Sequence, residues 1–193
     1  MGQIKIVQDR ERLLDELPKD SICAEIGVLT GSFSTTILHR CNPKQLNLID
    51  PWLHSQEIVF ANIYNEVWNK IYEGLVESFK DLPSVVIHRG LSEDVLPTFT
   101  DNYFDWVYID GNHQYEFAKQ DFILSWQKTK PGGYVCGHDW NFNDVQQACL
   151  EMVNDGYFEV VYLTNLWLSA FPSFGCRVNK NYKKHNFNRK IYD

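Results

Sequence analysis

Two short apolar runs of this sequence each lead into an acid and a histidine. The run FDWVYID ends in Asp110, and His113 follows three residues later; the run YVCG leads directly into His138 and Asp139. A carboxylate binds cations, and an imidazole accepts a proton near neutral pH in its unperturbed form. Side chains of these two kinds commonly make up a general base or a site for a divalent cation. These residues are therefore the first candidates for chemistry.

A third run, SICAEIG, leads into a glycine-containing turn that carries an acid. Its nearest template is the dinucleotide-binding motif G-x-G-x-x-G, but Glu25 replaces the first glycine, and the remaining Gly27 and Gly31 are four residues apart. A carboxylate in this turn opposes the negative charge of a pyrophosphate and suits a cationic ligand. S-adenosylmethionine carries an ammonium and a sulfonium group beside an adenosine, so the turn favours it over NAD.

The acid that ends the run QLNLID, Asp50, is suited to hydrogen-bond ribose hydroxyls. Both S-adenosylmethionine and NAD contain a ribose. Asp50 therefore indicates an adenosine-containing ligand without separating the two cofactors.

The elements that position these residues alternate between short β-type runs and helical segments. The predicted strands are SICAEIG, QLNLID, SVVIH, FDWVYID, YVCGHDW, FEVVYLT and FGCRV. Helices are predicted over 32–41, 57–80, 115–129 and 144–154, with a helical turn in SEDVLPTF. The alternation predicts an α/β fold: a Rossmann-like, doubly wound, mostly parallel seven-stranded sheet with an antiparallel C-terminal hairpin strand and helices on both faces. In such sheets ligands bind beyond the carboxyl ends of the strands.

Length, charge and cysteine usage limit the possible classes of protein. A chain of 193 residues predicts one domain, 1–193, with a core over about 21–179 and a basic polar tail over 180–193. The net charge of −7 argues against nucleic acid as the main partner, and no apolar segment is long enough to predict a membrane span. The five cysteines form no Cys-x-x-Cys pair, which predicts reduced thiols in a cytoplasmic protein.

In order and spacing, the motifs EIGVLTGSFS, LIDPW, GLSEDVLP, YIDGNHQYE and KPGGYVCGHDW resemble the class I S-adenosylmethionine-dependent methyltransferases. The branch with macrocin-type sugar O-methyltransferases and the cephalosporin-cluster methyltransferase is the most similar. The resemblance extends from about Ser21 to Trp140, and the combination of YIDGNHQYE with KPGGYVCGHDW is its most specific part. It implies methyl transfer to a hydroxyl group of a small or carbohydrate-like acceptor.

The resemblance also implies roles for individual residues. Cofactor contacts are expected from Glu25, Gly27, Gly31, Ser32, Phe33, Asp50, Leu91, Ser92 and Asp110, with Glu93 near the adenine. Asp110 and Asp139, at the ends of neighbouring strands, are expected to hold Mg²⁺ or another divalent metal together with His138. Relatives in this branch carry an acidic pair where this chain has His138 and Asp139, so a metal that accepts imidazole is a further option. Independently of the resemblance, His113 is expected to act as the base or to orient the acceptor, because an unperturbed imidazole has a pKa near neutrality, and Asp110 is expected as a second catalytic residue.

Two other classes of function remain open from the sequence. One is an NAD-dependent oxidoreductase, which requires a pyrophosphate to lie near Glu25; the other is a non-catalytic cofactor-binding module. Structural roles are the alternatives for the site residues: Asp110 and Asp139 as helix caps, and His113 as a partner of the backbone. The core fold occupies nearly the whole chain, which leaves little for recognition of a small-molecule acceptor, so a homo-oligomer is a further expectation.

Overall fold

The computed structural model describes residues 3–53, 61–165, 167–168 and 170–181. Residues 57–60, the start of the helix predicted over 57–80, lie outside the described residues. So do residues 182–193 of the predicted tail. The prediction of a single domain stays a prediction.

The described residues form eight strands and six α-helices. The strands are β1 Lys5–Val7, β2 Ile22–Ile26, β3 Gln45–Asp50, β4 Val85–Arg89, β5 Phe104–Ile109, β6 Thr129–Gly137, β7 Phe158–Thr164 and β8 Phe174–Val178. The helices are α1 Arg10–Asp15, α2 Ser32–Cys41, α3 Ala61–Phe79, α4 Ser92–Val95, α5 Tyr115–Lys128 and α6 Asn143–Asn154. A 3₁₀ turn over Leu96–Thr98 continues α4. No helix in the described ranges combines the length and the apolar character that a membrane span requires.

The strands form one sheet in the order β1-β7-β8-β6-β5-β2-β3-β4. All neighbours are parallel except β8, which runs antiparallel to both β6 and β7. The predicted fold class is confirmed, with one strand more than the predicted seven. The additional strand, β1, pairs with β7 at the edge; it has three residues, too few for an alternating pattern to stand out in the sequence.

The helix predicted to stop before KPGG ends at Lys128, one residue earlier than predicted, but KPGG itself lies inside β6 and not in a turn before the strand. The pairing of β5 with β6 shifts register between Phe104 and Trp106, which leaves Lys130 to Gly133 in a bulge. Gly132 has a φ of 75°, and a Cβ on Gly133 would lie 2.4 Å from the carbonyl oxygen of Asp105. Glycines at these positions let the strand begin at Thr129 without a steric clash.

Both faces of the sheet are covered by helices, as predicted. Along β5, Val107 belongs to the core beneath α5 and α6, whereas Trp106 and Tyr108 belong to the core beneath α1, α2 and α3. All three strand residues are fully buried. Burial on both faces explains why the strands read as nearly continuous apolar runs, and it leaves the carboxyl ends of the strands as the place for polar side chains.

Candidate functional site

A cleft of about 670 Å³ opens at the carboxyl ends of β2, β3 and β5. The described residues that line it include all the predicted cofactor contacts except Gly31: Glu25, Gly27, Ser32, Phe33, Asp50, Leu91, Ser92 and Asp110, together with Glu93. These residues come from four separate stretches of the chain and meet because β5, β2, β3 and β4 are neighbours in the sheet. Their individual roles as cofactor contacts stay predictions.

The two glycines of the turn after β2 allow close packing at two different places. Gly27 has a φ of 83°, and a Cβ there would lie 2.0 Å from the carbonyl oxygen of Asp110, so the ends of β2 and β5 approach too closely for any side chain. Gly31 precedes α2 with a φ of 78°, and its added Cβ would meet the side chains of Leu75 and Phe79. Gly31 therefore allows α2 to pack against α3 and does not line the cleft.

Glu25 is a buried carboxyl group at the floor of the cleft. It is 1% exposed, and its Oε2 accepts a hydrogen bond of 2.5 Å from the Ser34 hydroxyl of α2. Burial raises the pKa of Glu25 to about 8, and the charges of Asp110 and Asp50 act in the same direction, while the Ser34 hydrogen bond opposes the shift. A cation bound beside Glu25 would favour its ionised form.

Asp50 fixes the two loops that flank the cleft. Its Oδ2 accepts from the amides of Val28 and Leu29 at 2.9 and 3.0 Å, and its Oδ1 accepts from the amide of Trp52 at 2.7 Å. The indole of Trp52 donates in turn to the carbonyl oxygen of Leu29 at 2.9 Å. The carboxylate thus lines the cleft and also ties the turn after β2 to the turn after β3.

Asp121 is a lining residue that the sequence analysis missed. It lies on α5, is 5% exposed, and accepts a hydrogen bond from the hydroxyl of Ser92. Burial raises its pKa to about 6. Its position in the helix could have indicated a site residue. Asp121 lies at helical spacing between the buried Ala118 and Ser125, and an acid is unusual on a buried helix face.

Arg10 is the second charged lining residue that was missed, because the predicted core began only at residue 21. It lies at the start of α1, and its guanidinium carbon is 4.4 Å from the centre of the Phe33 ring. One guanidinium nitrogen is 3.6 Å from Oδ2 of Asp110. α1 thereby adds a positive charge to a cleft whose other charged lining residues are acids.

The structure brings the four predicted catalytic and metal-ligating residues together beside the cleft. Nε2 of His113 lies 2.7 Å from Oδ2 of Asp139. Nδ1 of His138 lies 3.2 Å from the same Asp139 oxygen and 3.4 Å from Oδ1 of Asp110. Burial lowers the pKa of His138, but its hydrogen bond with Asp110 and the charges of Asp110 and Asp139 outweigh this, so the net shift is upward.

Donor chemistry and spacing at this cluster fit a divalent cation. Asp110, His113 and Asp139 each offer one ligand atom, and these atoms lie within 4.8 Å of one another. His138 was the nitrogen ligand expected from the sequence; the structure places both histidines beside Asp139. Two carboxylate oxygens with one imidazole nitrogen are a donor set that divalent metals accept.

The helix-cap alternative for the two acids finds no support in the described contacts. The first amide of α5, that of Tyr115, is bonded to Oδ2 of Asp144 and not to Asp110. α6 begins after Phe142, three residues beyond Asp139. Asp139 itself adopts a φ of 60°, a left-handed conformation that directs the chain away from β6 while its carboxylate stays 3% exposed beside the histidines.

A second cavity of about 380 Å³ adjoins the cleft on the side of His113. It is lined by Asn112, His113, Gln114, Phe142, Asn143 and Asp144. Asn112 lines both cavities, and the rings of His113 and Phe142 are 5.0 Å apart. The histidine therefore borders a cavity next to the acidic cleft whose lining residues are polar except for Phe142.

Comparison with known proteins gives one family and a set of similar folds. The family described as "Methyltransferase domain" matches residues 24–140. A Corynebacterium glutamicum protein has a TM-score of 0.62 at 13% identity, covering 92% of this chain and 82% of that chain. A Streptococcus mutans protein described as a methyltransferase, solved in complex with SAH, has a TM-score of 0.62 at 13% identity, covering 88% and 95%.

The N-methyltransferase NodS of Bradyrhizobium japonicum has a TM-score of 0.61 at 14% identity, covering 89% of this chain and 95% of that chain. At these identities the structures support the fold alone. Comparison with curated proteins gives no match.

Proposed function

The chain belongs to the family of methyltransferase domains, since the match spans more than half of its length, and from this we propose that it transfers a methyl group from S-adenosylmethionine to a hydroxyl group of a small, carbohydrate-like acceptor. The family supplies the reaction class. The cofactor, the acceptor and the residue roles are proposals argued from the site.

The charge of the cleft is the observation that carries the choice of cofactor. Its described lining has one cation, Arg10, and five carboxyl groups, those of Glu25, Asp50, Glu93, Asp110 and Asp121. Burial raises the pKa of Glu25 to about 8, so Glu25 adds its negative charge once a cation binds beside it. The ammonium and sulfonium groups of S-adenosylmethionine are stabilised by such a surface, whereas the pyrophosphate of NAD is repelled by it. The SAH bound to the similarly folded Streptococcus mutans protein is in keeping with this choice.

The second cavity supports a hydroxylated acceptor. Side-chain amides and a carboxylate, those of Asn112, Gln114, Asn143 and Asp144, line it beside the single aromatic ring of Phe142. Groups of this kind donate and accept hydrogen bonds with hydroxyls, while the apolar face of a sugar-like ring packs on an aromatic ring. Because Asn112 lines both cavities, an acceptor bound in the second would lie next to the cofactor cleft.

We assign proton removal to His113. S-adenosylmethionine supplies, when bound, an electrophilic methyl group on its sulfonium. Asp139 holds Nε2 of His113 at 2.7 Å, which fixes the tautomer in which Nδ1 carries the free lone pair. In this role Nδ1 of His113 would take the proton of the acceptor hydroxyl while its oxygen receives the methyl group, with SAH as the leaving group. Asp110 faces the positive charge that is lost in this step.

A divalent cation such as Mg²⁺ is the second part of the proposal. Asp110 and Asp139, with His138, would hold it, and it would lower the pKa of the acceptor hydroxyl and orient that group, while His113 stays free to act as the base. Thermal unfolding measured with Mg²⁺ or Mn²⁺ tests the site without turnover. Stabilisation that is lost in Asp139→Asn supports it; no stabilisation, with full activity after treatment with a chelator, contradicts it.

We also propose that the protein works in the cytoplasm. All five cysteines, Cys23, Cys41, Cys136, Cys149 and Cys176, are buried free thiols. Free thiols are typical of proteins kept in a reducing compartment. Localisation of a tagged chain by fractionation tests this, and recovery in an oxidising compartment would contradict it.

Isothermal titration with SAH and, separately, with NAD⁺ tests the cofactor. We expect SAH to bind, NAD⁺ not to bind, and Glu25→Ala to weaken SAH. Binding of NAD⁺ alone would support the oxidoreductase alternative.

Release of SAH, assayed across a panel of hydroxylated acceptors, tests the reaction. For an acceptor that reacts, His113→Ala should lower kcat by about a hundredfold or more while SAH affinity is retained, because general base catalysis contributes on that scale. His39→Ala, on the exposed end of α2, is the matched control. Normal turnover in His113→Ala would remove it from the role of base.

A further inference from the structure

The acidic cleft has one cationic side chain among its described lining residues, and the proposed reaction gives this side chain no role. Among the described residues that line it, Arg10 stands alone as a base opposite five acids. Its ion-pair partner is Asp110, but the nearest guanidinium nitrogen and carboxylate oxygen are 3.6 Å apart, which is beyond the range of a good hydrogen bond. Asp110 also has His138 beside it.

The guanidinium group of Arg10 has N–H donors that its described contacts do not use. It carries five N–H donors, and in the described part of the chain its side chain makes the one ion pair and the stacking contact with Phe33. The side chain is 38% exposed and lines the cleft. Its open N–H groups therefore face the space in which a ligand would lie.

α1 holds Arg10 at this position. Asp9 caps the helix by accepting from the amide of Arg12 at 2.8 Å, and Leu13 and Leu14 are fully buried beneath it. The helix is also paired with Arg40 of α2 through Glu11 and Asp15, each at 2.9 Å. Since Phe33 lies on the same α2, the guanidinium and the ring on which it stacks belong to one packed unit.

We propose that Arg10 binds the carboxylate of the methionine moiety of S-adenosylmethionine. The inference rests on the proposed cofactor. That cofactor has one negatively charged group, and the acids of the cleft cannot bind it. Arg10 lies between Phe33 and Asp110, close to Glu25, the acid that faces the cationic end of the cofactor. A planar guanidinium pairs with a carboxylate through two parallel hydrogen bonds, which also fixes the orientation of the methionine moiety.

A pair of ligands isolates this contact. SAH and its decarboxylated analogue S-adenosyl-3-thiopropylamine share the adenosine, the thioether and the ammonium group and differ only in the carboxylate. Titration of both ligands into the wild type, Arg10→Gln, Arg10→Lys and Arg12→Gln measures the contribution of the carboxylate in each protein. Arg12 is the matched control because it lies on the same helix but pairs with Asp15 away from the cleft.

We expect Arg10→Gln to weaken SAH binding by about 10-fold to 100-fold, the usual value of a charged hydrogen-bonded contact, and to change binding of the analogue by less than about twofold. Arg10→Lys should retain part of the affinity for SAH, and Arg12→Gln should behave as the wild type.

Three results would overturn the inference. An equal loss for both ligands would show that Arg10 supports the cleft without contacting the carboxylate, and unchanged SAH binding in Arg10→Gln would show no contact at all. If the wild type binds neither ligand, the proposed cofactor fails and this inference fails with it. Thermal unfolding checks that each variant is folded; should Arg10→Gln not fold, the same ratio of affinities measured in Arg10→Lys decides.

Discussion

The three hydrogen bonds accepted by Asp50 hold two residues in unfavourable backbone conformations. Leu29 has a φ of 54° and Trp52 a φ of 44°, in the left-handed region that costs a residue other than glycine about 1 kcal/mol or more. Asp50 accepts the amide of each. The carboxylate therefore stabilises the shape of the cleft before any ligand arrives, in addition to the contact with ribose expected from the sequence.

Asp50→Asn should lower the free energy of unfolding by about 1 to 3 kcal/mol, because an amide nitrogen cannot accept the hydrogen bonds of Val28, Leu29 and Trp52 as two carboxylate oxygens do. Urea unfolding measures the loss. Asp81→Asn makes the same chemical change at an exposed position and should stay within about 0.5 kcal/mol of the wild type. Equal stability of the two variants would contradict the role given to Asp50.

Glu25 should make the protein less stable as the pH rises through neutrality. The pKa of Glu25 is raised by burial from its ordinary 4.5 to about 8, so its contribution to stability is fully present below about pH 4.5 and is lost as the pH rises through 8. Each unit of difference corresponds to about 1.4 kcal/mol. Glu25→Gln keeps an acceptor for Ser34 but has no proton to lose, so its unfolding free energy should fall less with pH.

The comparison is best made between about pH 6.5 and 8.5, because Asp121, with a pKa of about 6, contributes with the same sign at lower pH. Glu116→Gln, exposed in the first turn of α5, serves as the control. Parallel pH profiles for the wild type and Glu25→Gln would mean that Glu25 is ionised throughout this range.

At the scale of elements, α1 shows what the sequence could not predict. The helix has six residues, RERLLD, with two apolar positions, too few for a periodic pattern to stand out. A helix this short is not stable alone and forms because Leu13 and Leu14 are buried against α2 and the sheet. By contrast, β3 and α2 were predicted with their observed bounds, since their apolar spacing is continuous and a glycine or a proline lies beside their ends.

Packing should contribute more than ion pairing to the attachment of α1. Leu14 is fully buried, so Leu14→Ala should lower the free energy of unfolding by about 2 to 5 kcal/mol. Arg40→Gln removes the pairs with Glu11 and Asp15, which face solvent, and should have a much smaller effect. Guanidinium chloride unfolding of the two variants measures both. A larger loss in Arg40→Gln would reverse the ranking.

At the scale of the whole molecule, the location of the site followed from the sequence but its full lining did not. The rule that ligands bind at the carboxyl ends of parallel strands placed Glu25, Asp50 and Asp110 together, and the sheet order confirms their proximity. Asp121 and Arg10 reach the cleft from helices, where the direction of a side chain depends on how the helix is rotated against the sheet. That rotation is decided by tertiary packing, which a single sequence does not display.

Occupation of the cleft should stabilise the entire chain, since its walls come from segments between α1 and α5. SAH at about 100 times its Kd should add about 2.7 kcal/mol of stability, which for a chain of this length corresponds to a rise in Tm of about 5 to 10 °C. NAD⁺ at the same concentration should leave Tm unchanged. Differential scanning fluorimetry measures both, and a rise with NAD⁺ alone would contradict the proposed cofactor.

The close approach of Gly27 to the carbonyl oxygen of Asp110 bears on how such an enzyme diversifies. No side chain fits at Gly27, so a substitution there should prevent β2 and β5 from packing together. The residues around the second cavity, Asn112, Gln114, Phe142 and Asn143, are partly or largely exposed and can vary without disturbing the sheet. Under the proposed assignment of the second cavity to the acceptor, new acceptors should therefore be obtained, for example from libraries, by changes at this rim that leave the cofactor cleft unaltered.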